Sequence, residues 1–304
     1  MQTGNLRVEK RGKGQEVSAK TAVARVPIIF CPGMPRSVPE AVLRSLVYIF
    51  MVIFALLALP AHAINDPLDI AGCVLWLDAT DSSTVLTNGS GTVTNWQDKS
   101  SGGNDARIDQ GQANGDPIYV TNGINGKASV QFDGVQDVLD TLGGFTMPYT
   151  VLYVARWTGG DNNRLLSSSS EWSLGWQQFG DYDDFFVNSA EAVFNGTGGA
   201  STTGMVQVGR SASPWTDYYI DGSLIASNNA VADNINDLRV GGFHGVSDIF
   251  CGAGNISEVV IYNSVLSPSD HNDVGFYLQD KYGITGSYTN GGGGAILGTV
   301  YIGN

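Results

Sequence analysis

Residues 256–270 read ISEVVIYNSVLSPSD, and residues 74–84 read VLWLDATDSST. Each is an apolar, β-branched run that stops at a polar turn, so the two read as strands at opposite ends of one module. Between them, residues 129–139 (SVQFDGVQDVL) read as a strand leading into an acidic turn. If the first strand pairs antiparallel with residues 256–262, Cys73 falls near Tyr262.

From Ile64 to about Ile284, short apolar runs alternate with clusters of Gly, Asn, Asp and Ser, the spacing of an all-β sandwich. About 220 residues are ample for one two-layer core. Strands are expected at 74–77, 129–132, 150–157, 172–177, 205–209, 217–220, 238–240 and 256–262. Asp221-Gly222 can supply both positive φ angles of a type I′ hairpin, placing Tyr219 opposite Leu224 and Tyr218 opposite Ile225. One helix is signalled by Ser267 as N-cap, Pro268 in the first turn and Asp270 near the positive end of the dipole. Val274, Tyr277, Leu278 and Tyr282 recur at helical spacing before Gly283 stops it, and the helix is expected beside a sheet end.

The module follows a basic leader. Residues 46–59 (LVYIFMVIFALLAL) form an apolar run of 14, preceded by Arg36 and Arg44 and followed by Ala61-His62-Ala63. That is the pattern of a secretory signal peptide cleaved after Ala63, and the run is shorter than the roughly 18 to 20 apolar residues of a bilayer span. Residues 1–63 are thus read as leader and signal, with Met34 as the native start. Export implies a secreted or cell-surface location with no membrane insertion after cleavage. Residues 285–304, with four consecutive glycines, read as a Gly-rich linker or tail, from which the chain can continue into further modules of a larger protein.

Charge narrows the partners. Residues 1–63 hold 8 of the 16 Lys and Arg and 3 of the 29 Asp and Glu, so the exported part carries a net charge near −18. Such a surface repels nucleic acid and anionic lipid. Two cysteines, Cys73 and Cys251, remain after Ala63. A disulfide between them would close a long loop worth about 4 to 5 kcal/mol, but pairing Cys73 with Tyr262 argues against the geometry.

The pieces Leu75-Trp76-Leu77-Asp78-Ala79, Trp96-Gln97-Asp98-Lys99-Ser100, Asn104-Asp105-Ala106, Asn125-Gly126-Lys127, Phe132-Asp133-Gly134, Tyr219-Ile220-Asp221-Gly222 and Ile256 to Pro268 occur in this order over residues 71–284. Together they resemble the laminin-G-like jelly-roll domains of the concanavalin A-like lectin and glucanase superfamily, in the form common in exported bacterial and phage structural proteins. The resemblance implies an all-β, two-sheet antiparallel jelly-roll sandwich with one short C-terminal helix. It implies binding on the concave sheet or at the loop rim, often with a structural calcium ion, and it does not specify a ligand.

Calcium takes six to eight oxygens, most readily from loops, so the candidate ligands are Asp133 and Asp137 of the acidic turn together with Glu258. The alternative is that Asp133 caps the turn and Glu258 faces water. The loop Asp181-Tyr182-Asp183-Asp184 is a weaker acidic candidate. Glycan binding needs flat aromatic faces beside polar groups. Trp215 and Tyr182 sit in loop-like contexts near Asp217 and Asp183; Trp172 and Trp176 share a strand face with Leu174, which equally marks a core stripe. Trp76 and Trp96 belong to the framework.

Glycan hydrolysis would need two carboxylates on one strand, and the Glu-x-Asp-x-x-Glu run of laminarinase-like relatives is missing. No Ser or Cys stands beside a base in a recognisable motif, and His62, His244 and His271 lie in unrelated contexts. The expected function is therefore a non-catalytic module binding a glycan or cell-surface component, with possible calcium support and a role in adhesion. The alternative is a structural or adhesive spacer in a larger envelope or phage-like assembly; a degenerate glycoside hydrolase ranks third.

Overall fold

The computed structural model describes residues 64–108, 115, 117–141, 143–159, 164–168, 172–176, 184–187, 190–193, 203–228, 233–244 and 249–290. The apolar run 46–59, Met34, the cleavage position after Ala63, Tyr182 with its neighbour Asp183, and the stretch 291–304 lie outside them. Among the described residues no helix is long and apolar enough to cross a membrane.

The first strands are β1 (Cys73–Asp78), β2 (Val85–Thr87), β3 (Val93–Trp96), β4 (Ala106–Ile108), β5 (Ile118–Ile124), β6 (Lys127–Asp133) and β7 (Leu139–Thr141). Then come β8 (Tyr149–Gly159), β9 (Leu166–Ser168), β10 (Ser173–Gly175), β11 (Asp184–Val187), β12 (Ala190–Val193), β13 (Met205–Ala212), β14 (Trp215–Ile220) and β15 (Ser223–Asn228). β16 (Leu238–Val240), β17 (Gly242–His244), β18 (Ile249–Cys251) and β19 (Ala253–Tyr262) precede the helix α1 (Pro268–Tyr282).

They form a two-sheet antiparallel sandwich. The first sheet runs β15-β14-β13-β8-β19-β6-β5, with β1 also paired to β19; the second runs β12-β11-β10-β9-β16-β7-β4-β3-β2. β17 and β18 make a separate hairpin. β19 is forked: residues 253–256 pair with β6, and residues 258–262 pair with β1.

Alternation along the central strands sorts side chains between two layers. From β8, Tyr149, Val151, Tyr153, Ala155 and Trp157 enter the core between the sheets, whereas Leu152 and Val154 point outward. From β19, Val259 and Ile261 go inward while Val260 and Tyr262 go outward. Outward residues would normally be polar, but here α1 covers them with Val274, Leu278 and Tyr282. The central strands of the first sheet are therefore buried on both faces, which explains why β8 and β19 read as near-continuous apolar runs.

The helix ends match their sequence signals. Ser267 accepts a hydrogen bond from the Asp270 backbone N–H at 3.1 Å, its hydroxyl donates to the Asp270 carboxylate at 2.9 Å, and Gly283 takes the left-handed conformation. Its position does not match: α1 lies across the outer face of the first sheet rather than beside its end, because that face is the apolar surface that needs a cover.

Three other expectations change. Asp221 and Gly222 both have positive φ, and Tyr219 does face Leu224, but a bulge shifts Tyr218 to Ala226 instead of Ile225. The module continues past residue 284. Ser287 N–H donates to the Asp221 carbonyl at 2.7 Å, Thr289 N–H donates to Asn272 Oδ1 at 3.1 Å, and Tyr288 is buried between them. Gly275 makes room for it, since a Cβ there would meet the Tyr288 ring at 2.1 Å. The disulfide does not form either. Cys73 stands opposite Tyr262 while Cys251 precedes Ala253 at the other end of β19, about 30 Å away at the rise of a strand, and both thiols are free. Burial pushes both up to about 12, where they are poor nucleophiles.

Candidate functional site

At the end of β6 the chain turns sharply, and the turn is built by its own carboxylates. Asp133 Oδ1 accepts from the backbone N–H groups of Val135 at 2.7 Å and Gln136 at 3.3 Å, and Asp137 Oδ2 accepts from Asp133 N–H at 2.8 Å. Beside this turn lies a cavity of about 500 Å³ lined by Gly115, Ile118, Gln131, Asp133, Val135, Gln136 and Asp137. Ile118 pairs with Gln131 across the β5–β6 edge, and Val135, at 59% exposure, projects from the turn. Carboxamides and carboxylates thus surround two solvent-facing apolar side chains, the mixture that meets a ligand carrying both hydroxyls and C–H faces.

The calcium set proposed from sequence does not assemble here. Glu258 is fully buried on the outer face of the first sheet, five residues along β19 from the position that faces Asp133. The carboxylates of Asp133 and Asp137 are aimed at backbone donors of their own turn, and among the described residues no group of three or more His, Cys, Asp or Glu converges as a metal site. The arrangement does not fit a calcium ion.

The aromatic candidates also separate. Trp172 and Trp176 have at most 1% of their surface exposed and belong to the inner core. Trp172 donates from Nε1 to the Tyr149 hydroxyl at 2.8 Å and meets Phe185 edge-on; Trp176 stacks on Trp157 at 5.8 Å. They pack the two sheets together instead of meeting a ligand. Trp215 is 58% exposed at the start of β14, but the register places it at the Tyr149 end of the sheet, about 30 Å along the strands from Asp133. Asp217, near it, accepts a 2.6 Å hydrogen bond from the Ser227 hydroxyl.

A second constellation, which sequence reading missed, lies under α1. Asp78 and Glu258 are direct partners across β1 and β19. Lys281, from the last turn of α1, reaches Glu258 Oε2 at 2.6 Å and Asp78 Oδ1 at 3.0 Å. Glu258 also accepts from Trp76 Nε1 at 2.7 Å, Tyr282 at 2.8 Å and Tyr277 at 3.3 Å. Thr80 donates its N–H and hydroxyl to Asp78 Oδ1 at 2.9 and 2.6 Å, and Lys99 pairs with Oδ2 at 3.2 Å while lying over the Trp76 ring.

Burial raises the Glu258 carboxyl above the usual carboxylate range, although Lys281 pulls the other way. For Asp78 burial also acts upward, but Lys281, Thr80 and Lys99 outweigh it and hold the group below its ordinary value. Burial and the neighbouring Glu258 push Tyr277 and Tyr282 upward, so both stay protonated donors. The signal in the sequence was Glu258 itself, a carboxylate inside an apolar run. Its partner, Lys281, stands too far along the chain for local pattern to connect.

No family model matches this chain, and neither does any curated protein. Solved structures do. The chain is similar to Trypanosoma rangeli sialidase in complex with sialic acid, at a TM-score of 0.51 and 15% identity, over 80% of this chain and 39% of that one. It is also similar to domain 4 of AbnA, a GH43 extracellular arabinanase from Geobacillus stearothermophilus, in complex with arabinotriose, at 0.48 and 13%, over 67% of this chain and 98% of that one. A third likeness is to the binding domain of Paraclostridial Mosquitocidal Protein 1, at 0.45 and 9%, over 68% and 52%. This chain thus spans about two fifths of the sialidase chain it matches. At such identities the likeness is one of fold, a β-sandwich.

Proposed function

We propose that the sandwich is a laminin-G-like, non-catalytic module of an exported protein and binds carbohydrate at the rim cavity beside Asp133. The observation that carries this reading is the cavity of about 500 Å³ where Gln131 and Gln136 flank exposed Ile118 and Val135. Carboxamides exchange hydrogen bonds with sugar hydroxyls, and the apolar pair covers a ring's C–H face. The fold likeness to a sialidase chain solved with sialic acid supports a carbohydrate-related sandwich. The signal pattern at residues 46–63 supports secretion or display at the cell surface.

The test is a glycan-array screen of the purified full chain, with calcium and again with chelator. Binding to a defined glycan class is expected, unchanged by chelator because the turn carboxylates already hold backbone donors. Gln131→Ala and Val135→Ala should each weaken binding about tenfold, a loss of about 1.4 kcal/mol, without altering the circular dichroism. Undiminished binding in both variants would remove the site from this cavity. The strapped segment 287–289, which fixes the chain's exit to the hairpin and helix, favours a second reading, a structural spacer. Folded protein silent on the array in both buffers would select it.

A further inference from the structure

We propose that the side chains of Lys281 and Asp78 condense into an intramolecular amide, joining the C-terminal helix covalently to the first strand. The geometry places the reacting groups in contact, with Nζ 3.0 Å from Asp78 Oδ1, and 2.6 Å from Glu258 Oε2 on its other side. Asp78 is 5% exposed at its side chain, Glu258 is fully buried and Lys281 is 17% exposed. The surrounding Trp76, Tyr277 and Tyr282 keep the site poor in water, which favours condensation over hydrolysis.

Each neighbour has a part in the step. Nζ gives up a proton to Glu258 and attacks Cγ of Asp78, forming the Nζ–Cγ bond. Lys99, on Oδ2, stabilises the negative charge that develops on the oxygen that stays. Thr80 holds Oδ1, the oxygen that leaves. As the Cγ–Oδ1 bond breaks, Glu258 relays two of the three ammonium protons to Oδ1, which departs as water; the third remains on the amide nitrogen. An ammonium and a carboxylate become an amide and one water, and no oxidant or co-reactant is needed. Glu258 suits the relay by position, with Oε2 2.6 Å from Nζ, and burial favours its protonated form.

Asp78 is the acceptor and Glu258 the relay because Asp78 has a second cation, Lys99, on the oxygen that stays, whereas the other donors to Glu258 are the neutral Trp76, Tyr277 and Tyr282. The link would close the chain from residue 78 to residue 281 in a module whose two cysteines stay apart.

The test is mass spectrometry of the purified full chain, unfolded and digested. Expected are an intact mass lower than that of its own sequence by one water and a branched peptide joining Lys281 to Asp78. Lys281→Arg should restore the full mass, and Glu258→Gln, folded by circular dichroism, should leave the two peptides unlinked. Separate linear peptides from folded wild-type protein would overturn the proposal, and so would a branch at Glu258. The wild-type digest decides even if both variants fail to fold.

Discussion

Along β1 and β19 the two faces of the first sheet are equally dry but are held by different forces. Inward, Leu75, Leu77, Val259 and Ile261 meet the second sheet through apolar contact alone. Outward, Trp76 and Val260 meet α1, but Asp78, Glu258 and Lys281 are sealed in beside them. Apolar burial is graded, since each methylene lost costs its own share. A buried charge cluster is not graded: it tolerates no missing partner, because the charge left behind has no solvent. The inner face supplies the bulk of the stability, and the outer face supplies a single required position for the helix.

The sharpest way to break this contrast is Lys281→Met, which takes the cation from fully buried Glu258 and leaves Asp78 to Lys99, and should cost about 3 to 5 kcal/mol in denaturant unfolding. Cutting the inner face with Leu77→Ala should cost about 3 kcal/mol, and the further truncation of Ile261 to Val only about 1 kcal/mol. A Lys281→Met cost smaller than that of Leu77→Ala would mean the outer cluster is loosely solvated.

Acid should act through the outer face. Burial, aided by Arg210, depresses His271 from 6.5 to about 3, where it lies against Tyr219 and Tyr288. The unfolded chain takes up that proton first, so its contribution is complete above pH 6.5 and is lost as pH falls toward 3. That loss amounts to about 3 kcal/mol by pH 4. Asp221, beneath the strap, opposes it: burial raises its carboxyl from 3.8 to about 6, so its contribution is present below 3.8 and lost as pH rises through 6. In His271→Phe, thermal melts between pH 4 and 7 should therefore lose their acid-side fall. An unchanged slope would place the acid sensitivity elsewhere. Smaller still, Ser267→Ala removes the helix cap and should cost about 1 kcal/mol. Trp215→Ala, on neither buried face, should change stability by less than about 0.5 kcal/mol.

Sequence reading fared unequally on the two faces. The strands β1, β6, β8, β10, β13, β14, β16 and β19, the turn at Asp221-Gly222, the helix caps and the pairing of Cys73 with Tyr262 all follow from residues a few positions apart or from simple antiparallel register, whereas short strands such as β2, β3, β4 and β7 carry too few residues to declare themselves. The place of α1 was not legible, since an amphipathic helix declares that it has an apolar face but not which surface meets it. Glu258 looked like a solvent or metal-facing carboxylate because strand alternation assumes one wet face, and β19 has none. Trp172 and Trp176 carried the same ambiguity until burial resolved it. The rim cavity was half visible: Asp133 and Asp137 were singled out, as metal ligands, while Gln131 and Ile118 give no signal until β5 and β6 pair.

The forked strand sets a timetable for the chain. β19 must receive β6 on its first half and β1 on its second, while β8 lies along its whole length. Until Tyr262 has left the ribosome, the earliest strand has no neighbour in its sheet and the central strand of the sandwich is missing. The module therefore cannot lock in from its N-terminus as synthesis proceeds; it must assemble late and all at once, through contacts among the most distant in its sequence. For as long as its last strand is held back, β1 has no partner in its sheet and β6 and β8 stay apart.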